Sequence, residues 1–258
     1  MAVRIGTCGW QYADWRPAFY PHGVAQSKWL EFYSSHFDTV EVDSSFYRLP
    51  SAASVAKWRD MTPDGFLFSL KVSRYITHVR RLRTVRGALS TLQRRAAPLG
   101  SKLGPLLLQL PPTLSKDLSA LEDTMDALTG HAVAFEPRHP SWHDDDVNDV
   151  LARHNAALCL ADKNGRPTGP LWRTADWGYV RFHSGRADPR PCYGRRALQT
   201  WADRCAELWG PRHEVFAYFN NDAHACALRD ARMFARSLER SGLRPSAVPG
   251  SRAVHLNR

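Results

Sequence analysis

Seven polar or charged residues stand at or near the ends of short apolar runs: Glu41, Lys71, Gln109, Glu136, Asp162, His183 and Asn220. Carboxylates, an amine and an imidazole brought to one place can pass protons to and from a bound molecule, because burial and neighbours tune them towards neutrality. Amides such as Gln109 and Asn220 can orient hydroxyls, having both donor and acceptor ends. These residues are far apart in sequence. Their chemistry therefore depends on a fold that gathers the ends of the runs.

The runs are Val3–Cys8, Thr39–Asp43, Phe66–Val72, Pro105–Leu110, Ala132–Glu136, Ala157–Ala161, Tyr179–His183 and Val215–Asn220. They are short and nearly continuously apolar, as parallel strands buried on both faces require. Helical stretches alternate with them over Ser27–His36, Ser51–Asp60, Thr84–Ala97, Ser115–Leu128, Ser141–His154, Ala197–Trp209 and Asp222–Arg240. Leu118, Leu121, Met125 and Leu128 recur at helical spacing, and Asp144, Asp145 and Asp146 suit the first turn of a helix. Only the segment between strands six and seven, with Pro167, Gly169 and Pro170, reads as a loop. Eight strand–helix units in 258 residues predict a single TIM-type (β/α)8 barrel, a fold of roughly 250 residues, irregular between strands six and seven. The barrel domain is expected over residues 1–243, and residues 244–258 read as a poorly ordered tail.

Active sites of such barrels lie at the carboxyl ends of the strands. Side chains alternate along a strand, so parity selects what faces the axis. Leu67, Ser69 and Lys71 share one face, as do Tyr179, Arg181 and His183; Glu41 and Asp43 oppose two valines, and Glu136 aligns with two alanines. Charges from four strands thus aim at one end of the axis, a costly arrangement unless they are paired or functional. Glu41, Glu136, His183 and Lys71 are the catalytic candidates. His78, Arg138 and Arg181 would hold an anion together with Lys71. Gln109, Asn220 and Asn221 would orient hydroxyls. His139 and the rings of Tyr12, Tyr47 and Trp142 also lie at or after strand ends, where they could touch a substrate. The glycine-containing basic loop after strand seven, Gly185-Arg186 and Gly194-Arg195-Arg196, is a further anion candidate.

Lys and Arg number 35 against 25 Asp and Glu, a formal charge of +10 that favours anionic partners. Five scattered cysteines with no CxxC spacing argue against a disulfide framework or a zinc knuckle. Cys8 and Cys159, on strand-like runs, read as small core residues. No apolar run approaches the roughly 18 residues of a membrane span, and no signal segment precedes Val3, so a cytoplasmic location is expected.

The segments GTCGWQYADWRPAFYP (6–21), VEVDSSFYRLP (40–50), FLFSLKVSRYITH (66–78), LLLQLPP (106–112), FEPRHPSW (135–142), YVRFHS (179–184) and YFNND (218–222) together resemble the YecE-like family. That family is a bacterial and archaeal domain of unknown function, seventy-two in its series. The match runs in order through nearly the whole chain. It implies a TIM barrel and no particular reaction. Cys8 stands where the family usually has serine, Asp43 where asparagine is frequent, and Ser184 where glycine usually follows the histidine. A serine nucleophile at position 8 is therefore not expected.

The leading expectation is an enzyme, a hydrolase or isomerase, acting on a small polar anion such as a sugar phosphate or nucleotide-derived compound by carboxylate acid/base chemistry. Paired-carboxylate glycoside hydrolysis would use Glu41 and Glu136. A metal-dependent alternative would draw on Glu41, Glu136, Asp162, His139 or His183, but Lys71 and Arg181 would repel a cation, so no metal or cofactor is expected. Nucleic-acid binding and noncatalytic metabolite binding are the competing classes. Composition leaves the oligomeric state open.

Overall fold

The computed structural model describes residues 2–250. Eight parallel strands follow one another around an axis: β1 (Val3–Thr7), β2 (Thr39–Val42), β3 (Leu67–Lys71), β4 (Leu103–Gln109), β5 (Val133–Glu136), β6 (Ala157–Lys163), β8 (Gly178–Ser184) and β9 (Val215–Phe219). The hydrogen-bonded order is β1-β9-β8-β6-β5-β4-β3-β2. The ring closes between β1 and β2 through one parallel bridge, Cys8 to Glu41. Gly6 makes this seam tight: a Cβ there would lie 2.5 Å from the Thr39 carbonyl oxygen. The expected (β/α)8 barrel is what the chain forms.

The helices are α1 (Trp29–Ser34), α2 (Ser44–Tyr47), α3 (Ala52–Asp60), α4 (Arg86–Ala96), α5 (Leu118–Ala127), α6 (Asp145–Arg153), α7 (Arg195–Leu208) and α8 (Cys226–Arg240). Polar residues start two of them: the side chains of Ser51 and Asp117 accept from the backbone N–H of Ser54 and Ala120. In α5 and α6 the buried residues recur at helical spacing, with Leu121, Thr124 and Met125 on one helix and Val147, Val150 and Leu151 on the other. Between strands and helices lies the main apolar core, where Val40, Phe68, Leu108, Phe135, Val180 and Phe219 are essentially without exposure. Inside the barrel is a second, smaller cluster around Leu107, Ala134, Cys159, Tyr179 and Tyr218.

No helix joins β6 to β8. The chain turns back at once as β7 (Arg166–Pro167), antiparallel to β6. Asn164 and Gly165 make the turn with φ of 57° and 70°, the left-handed values of a two-residue hairpin. Of the expected tail, Arg244 and Ser246 bond to the backbone of Val3, and the Ser246 hydroxyl accepts from the Ile5 N–H. Residues 251–258 lie outside the described residues. Among the described residues no helix is long and apolar enough to cross a membrane.

The cysteine expectation needs a correction. Cys192, in the loop after β8, is bonded to Cys226 at the start of α8. The two are 34 residues apart in sequence, so spacing alone did not pair them; the barrel brings the loop over the helix terminus.

Candidate active site

Arg181 of β8 is fully buried at the carboxyl end of the barrel. Its guanidinium donates to Glu41 Oε1 at 2.7 Å and to Glu136 Oε2 at 2.7 Å. Asp43 Oδ1 lies 3.5 Å away. A buried guanidinium is tolerable only when carboxylates replace its lost water. Burial pulls the Arg181 pKa down, but Glu41 and Glu136 outweigh burial and hold it well above its usual value. Below this layer the Tyr179 hydroxyl donates to Glu41 Oε2 at 2.6 Å and lies 2.7 Å from Ser69 Oγ. Tyr218 and Thr39 hydroxyls pair at 2.7 Å. The parity argument therefore holds: alternate residues of β2, β3, β8 and β9 fill the axis in layers.

Glu136 carries the densest set of contacts. Its Oε2 accepts from Arg181 and from Gln109 Nε2 at 2.8 Å. Its Oε1 accepts from His183 Nε2 at 3.0 Å and from Arg138 at 3.3 Å. Burial pushes the carboxyl up, yet Arg181, His183 and Arg138 together hold it well below the usual carboxylate range. Gln109 and Glu136 meet because they are partners in the β4–β5 register. Asn220 Nδ2 lies 3.2 Å from His183 Nδ1. An amide N–H donating to Nδ1 leaves the ring proton on Nε2, where it points at Glu136.

Above this pair opens a cavity of about 260 Å³ lined by Glu136, Arg138, His183, Lys163, Thr168 and two prolines. Lys163 and Thr168 flank the β6–β7 hairpin and were not anticipated. Their signal was the Asn164-Gly165 pair, the strongest short-range mark of a hairpin. Lys71 lies to one side. It pairs with Asp43 at 3.0 Å and stands 4.7 Å from the Phe46 ring centre. His78 packs edge-on against Phe46, and Tyr47 is 81 % exposed.

Several sequence candidates are held in contacts within the scaffold. Glu41 is fully buried, with Arg181 and Tyr179 donating to its two oxygens. Arg181 itself is fully buried, with its two terminal nitrogens taken by Glu136 and Glu41 and its Nε without a partner among the described residues. Because one guanidinium fills the space between Glu41 and Glu136, the two cannot flank a sugar. Trp142 is buried, its indole N–H donating to the Leu114 carbonyl. His139 accepts from the Ser141 N–H and caps the turn after β5. The Tyr12 hydroxyl donates to the Cys8 carbonyl. Asn221 is buried and donates to Asp230. Asp162 accepts from the Tyr193 hydroxyl and the Trp201 indole, on the helix side of β6. The loop after β8 packs tightly as well: a Cβ on Gly185 would lie 2.1 Å from the Cys192 carbonyl oxygen.

Residues 4–252 match the model of the family described as protein of unknown function DUF72. The chain belongs to this family. It is 32% identical over 142 residues to UPF0759 protein YecE of Escherichia coli K12, a match spanning 54% of this chain and about half, 50%, of that relative. UPF0759 protein YunF of Bacillus subtilis is 26% identical over 94% of this chain and 98% of its own. A DUF72 family protein of Thermotoga maritima superimposes with a TM-score of 0.80 at 25% identity, covering 93% of this chain and 100% of that one. SacUVDE superimposes with a TM-score of 0.57 at 8% identity, over 93% and 99% of the two chains, which shows the barrel fold alone.

Among the described residues one trio, Cys8, Glu41 and Asp43, has ligand atoms within 4.8 Å of one another. The donor set does not suit a cation. Arg181 already occupies Glu41 and lies 3.6 Å from Cys8 Sγ. Burial and Glu41 push the Cys8 thiol well up, against the thiolate that a metal requires. Of the metal ligands expected from sequence, Glu136 and His183 are in contact, but Asp162 and His139 are each held in other contacts.

Proposed function

We propose that this chain is an enzyme that moves a proton on a small polar anion, a hydrolase or isomerase by class, at the carboxyl mouth of the barrel. The observation that carries the reading is the Glu136–His183 pair, 3.0 Å apart at the floor of the 260 Å³ cavity. His183 is the proton carrier. Among the described residues its Nδ1 is held by the 3.2 Å contact from Asn220, the bond that a substrate hydroxyl would replace. Glu136, kept ionised by Arg181, fixes the tautomer and stabilises the imidazolium formed when Nδ1 takes a proton. Arg138 and Lys163 receive the anion at the rim, where their charge remains accessible. Compared with the carboxylate-pair expectation, the acid/base role passes from Glu41 to His183. A cytoplasmic location is part of the same proposal.

The test is calorimetric titration with inorganic phosphate and a panel of sugar phosphates and nucleotides, followed by ¹H NMR for turnover. Binding is expected to be lost in the Arg138→Ala, Lys163→Ala double variant. Turnover of any bound compound is expected to fall about 10²- to 10⁴-fold in His183→Gln with binding retained. Unchanged turnover in His183→Gln, or anion binding indifferent to the double variant, would overturn the reading.

A further inference from the structure

We propose that the anion taken by this site is one nucleotide of a single strand of nucleic acid, whose neighbouring nucleotides lie along the rim formed by the loops after β2, β3 and β5. The inference rests on the proposed function, whose anion site it extends. Four large apolar or aromatic side chains are conspicuously exposed among the described residues, and three of them lie here: Tyr47 at 81 %, Tyr75 at 52 % and Val79 at 57 %. Single exposed apolar side chains are ordinary, but several on neighbouring loops at the carboxyl end of the barrel mark a surface that is covered in use.

Tyr47 and His78 are linked through Phe46. Tyr47 meets Phe46 at 5.0 Å between centroids, and Phe46 meets His78 at 5.0 Å. His78 belongs to the same five-residue π-turn, Tyr75–Val79, that presents Tyr75 and Val79. Such turns are rare and concentrate at functional positions. The following residues add backbone cost: Arg81, Leu82 and Thr84 hold φ of 52°, 68° and 56°, values that non-glycine residues keep only where surroundings enforce them.

Cations are interleaved with the rings. Lys71 stands 4.7 Å from the Phe46 ring centre and Arg74 directly precedes Tyr75; burial, Arg74, Lys71 and Arg138 hold the His78 pKa below its usual value. Among the described residues no carboxylate pairs with Arg74 within 4 Å, and Arg138 is 39% exposed with Glu136 as its carboxylate. Exposed rings with cations on the same loops suit a strand of phosphates and bases, because cations follow the backbone while every base can stack. An acidic peptide would leave the rings without stacking partners. A flat anionic bilayer would cover the rim but could not reach Glu136 at the cavity floor. A strand can do both, seating one nucleotide in the cavity and its neighbours on Tyr47 and Tyr75.

The experiment is fluorescence anisotropy of the full chain with labelled oligothymidylate of about eight nucleotides, the length of one small single-strand site. It is run beside calorimetric titration with inorganic phosphate and with thymidine monophosphate. Binding should be saturable and stronger than that of the mononucleotide. Tyr47→Ala and Tyr75→Ala should each weaken oligonucleotide binding about tenfold and leave phosphate binding unchanged. Arg74→Ala should flatten the salt dependence by about 0.7 in the log–log slope, one phosphate contact. Both tyrosines are exposed, so circular dichroism should show unchanged folding. Phosphate binding without oligonucleotide binding would overturn this inference and leave the proposed function standing; absence of both would remove the two together. Equal affinity for mononucleotide and oligonucleotide, or indifference to the tyrosine substitutions, would also overturn it, as would binding of phosphatidylglycerol vesicles in place of the strand.

Discussion

At the scale of single residues, Arg181 is the centre of the molecule's electrostatics. It neutralises Glu41 and Glu136 at 2.7 Å each, itself without exposure to water. Its removal would leave two buried carboxylates facing each other. Arg181→Met should therefore cost about 3–5 kcal/mol in urea denaturation at neutral pH. Adding Glu41→Gln to that variant should recover part of the loss, a non-additivity expected of residues that share one network. The pH dependence has a definite sign. The folded Glu136 value is depressed, so its contribution is present above the unfolded value of about 4.3 and is lost as pH falls through the folded one. The stability gap between wild type and Glu136→Gln should shrink on acidification below about pH 4; a gap that stays constant would refute the depressed carboxyl. Asp230 acts oppositely. Burial pushes it up to about 6 despite Arg229 and the Tyr193 N–H. Its contribution is full below the unfolded value of about 3.9 and is lost as pH rises through the folded value of about 6.

At the scale of elements, legibility followed burial. Strands covered on both faces read as apolar runs, and all eight were found within two residues of their ends. Parity also survived, since Arg181, His183, Glu41 and Ser69 all face the axis. Depth did not. Nothing in the spacing of Glu41 tells that a guanidinium 140 residues later closes over it. Trp142 had the composition of a stacking residue, and only packing under β5 shows that it is core. The β6–β7 hairpin was missed because proline and glycine nearby suggested irregular loop, although Asn164-Gly165 named the turn. The β1–β2 seam offers a direct test of how closure depends on one glycine. Gly6→Ala would drive a Cβ into the Thr39 carbonyl at 2.5 Å, a backbone contact that cannot swing aside. A loss of at least about 1–3 kcal/mol is expected, as for overpacked cores. Gly87→Ala, in α4 with nothing within 4 Å of the new Cβ, should instead gain about 0.4–1 kcal/mol. Equal effects at the two glycines would mean that the seam is not the tight contact described.

At the scale of the whole molecule, the order of elements was legible because alternating strands and helices allow few parallel topologies. Long-range pairing of side chains was not, and Cys192–Cys226 is the clearest case. That bond spans 34 residues and ties the loop after β8 to α8. The same loop is also held by Asp230, which accepts from the Tyr193 N–H at 2.7 Å and from Asn221 at 2.8 Å. The folded loop thus keeps its anchors without the disulfide, and the bond acts chiefly on the unfolded chain. For a loop of this length, chain entropy allows about 3–4 kcal/mol at 25 °C. A Cys192→Ser, Cys226→Ser variant should lose up to that amount in guanidinium unfolding while keeping anion binding at Arg138, because none of these contacts reaches Glu136. Thiol titration in denaturant supplies the direct check. Without reductant it should find three reactive thiols, those of Cys8, Cys159 and Cys205, and with reductant all five. Five thiols without reductant would show the pair reduced in the isolated protein, the state favoured by a reducing cytoplasm, and the stability difference would then vanish with it.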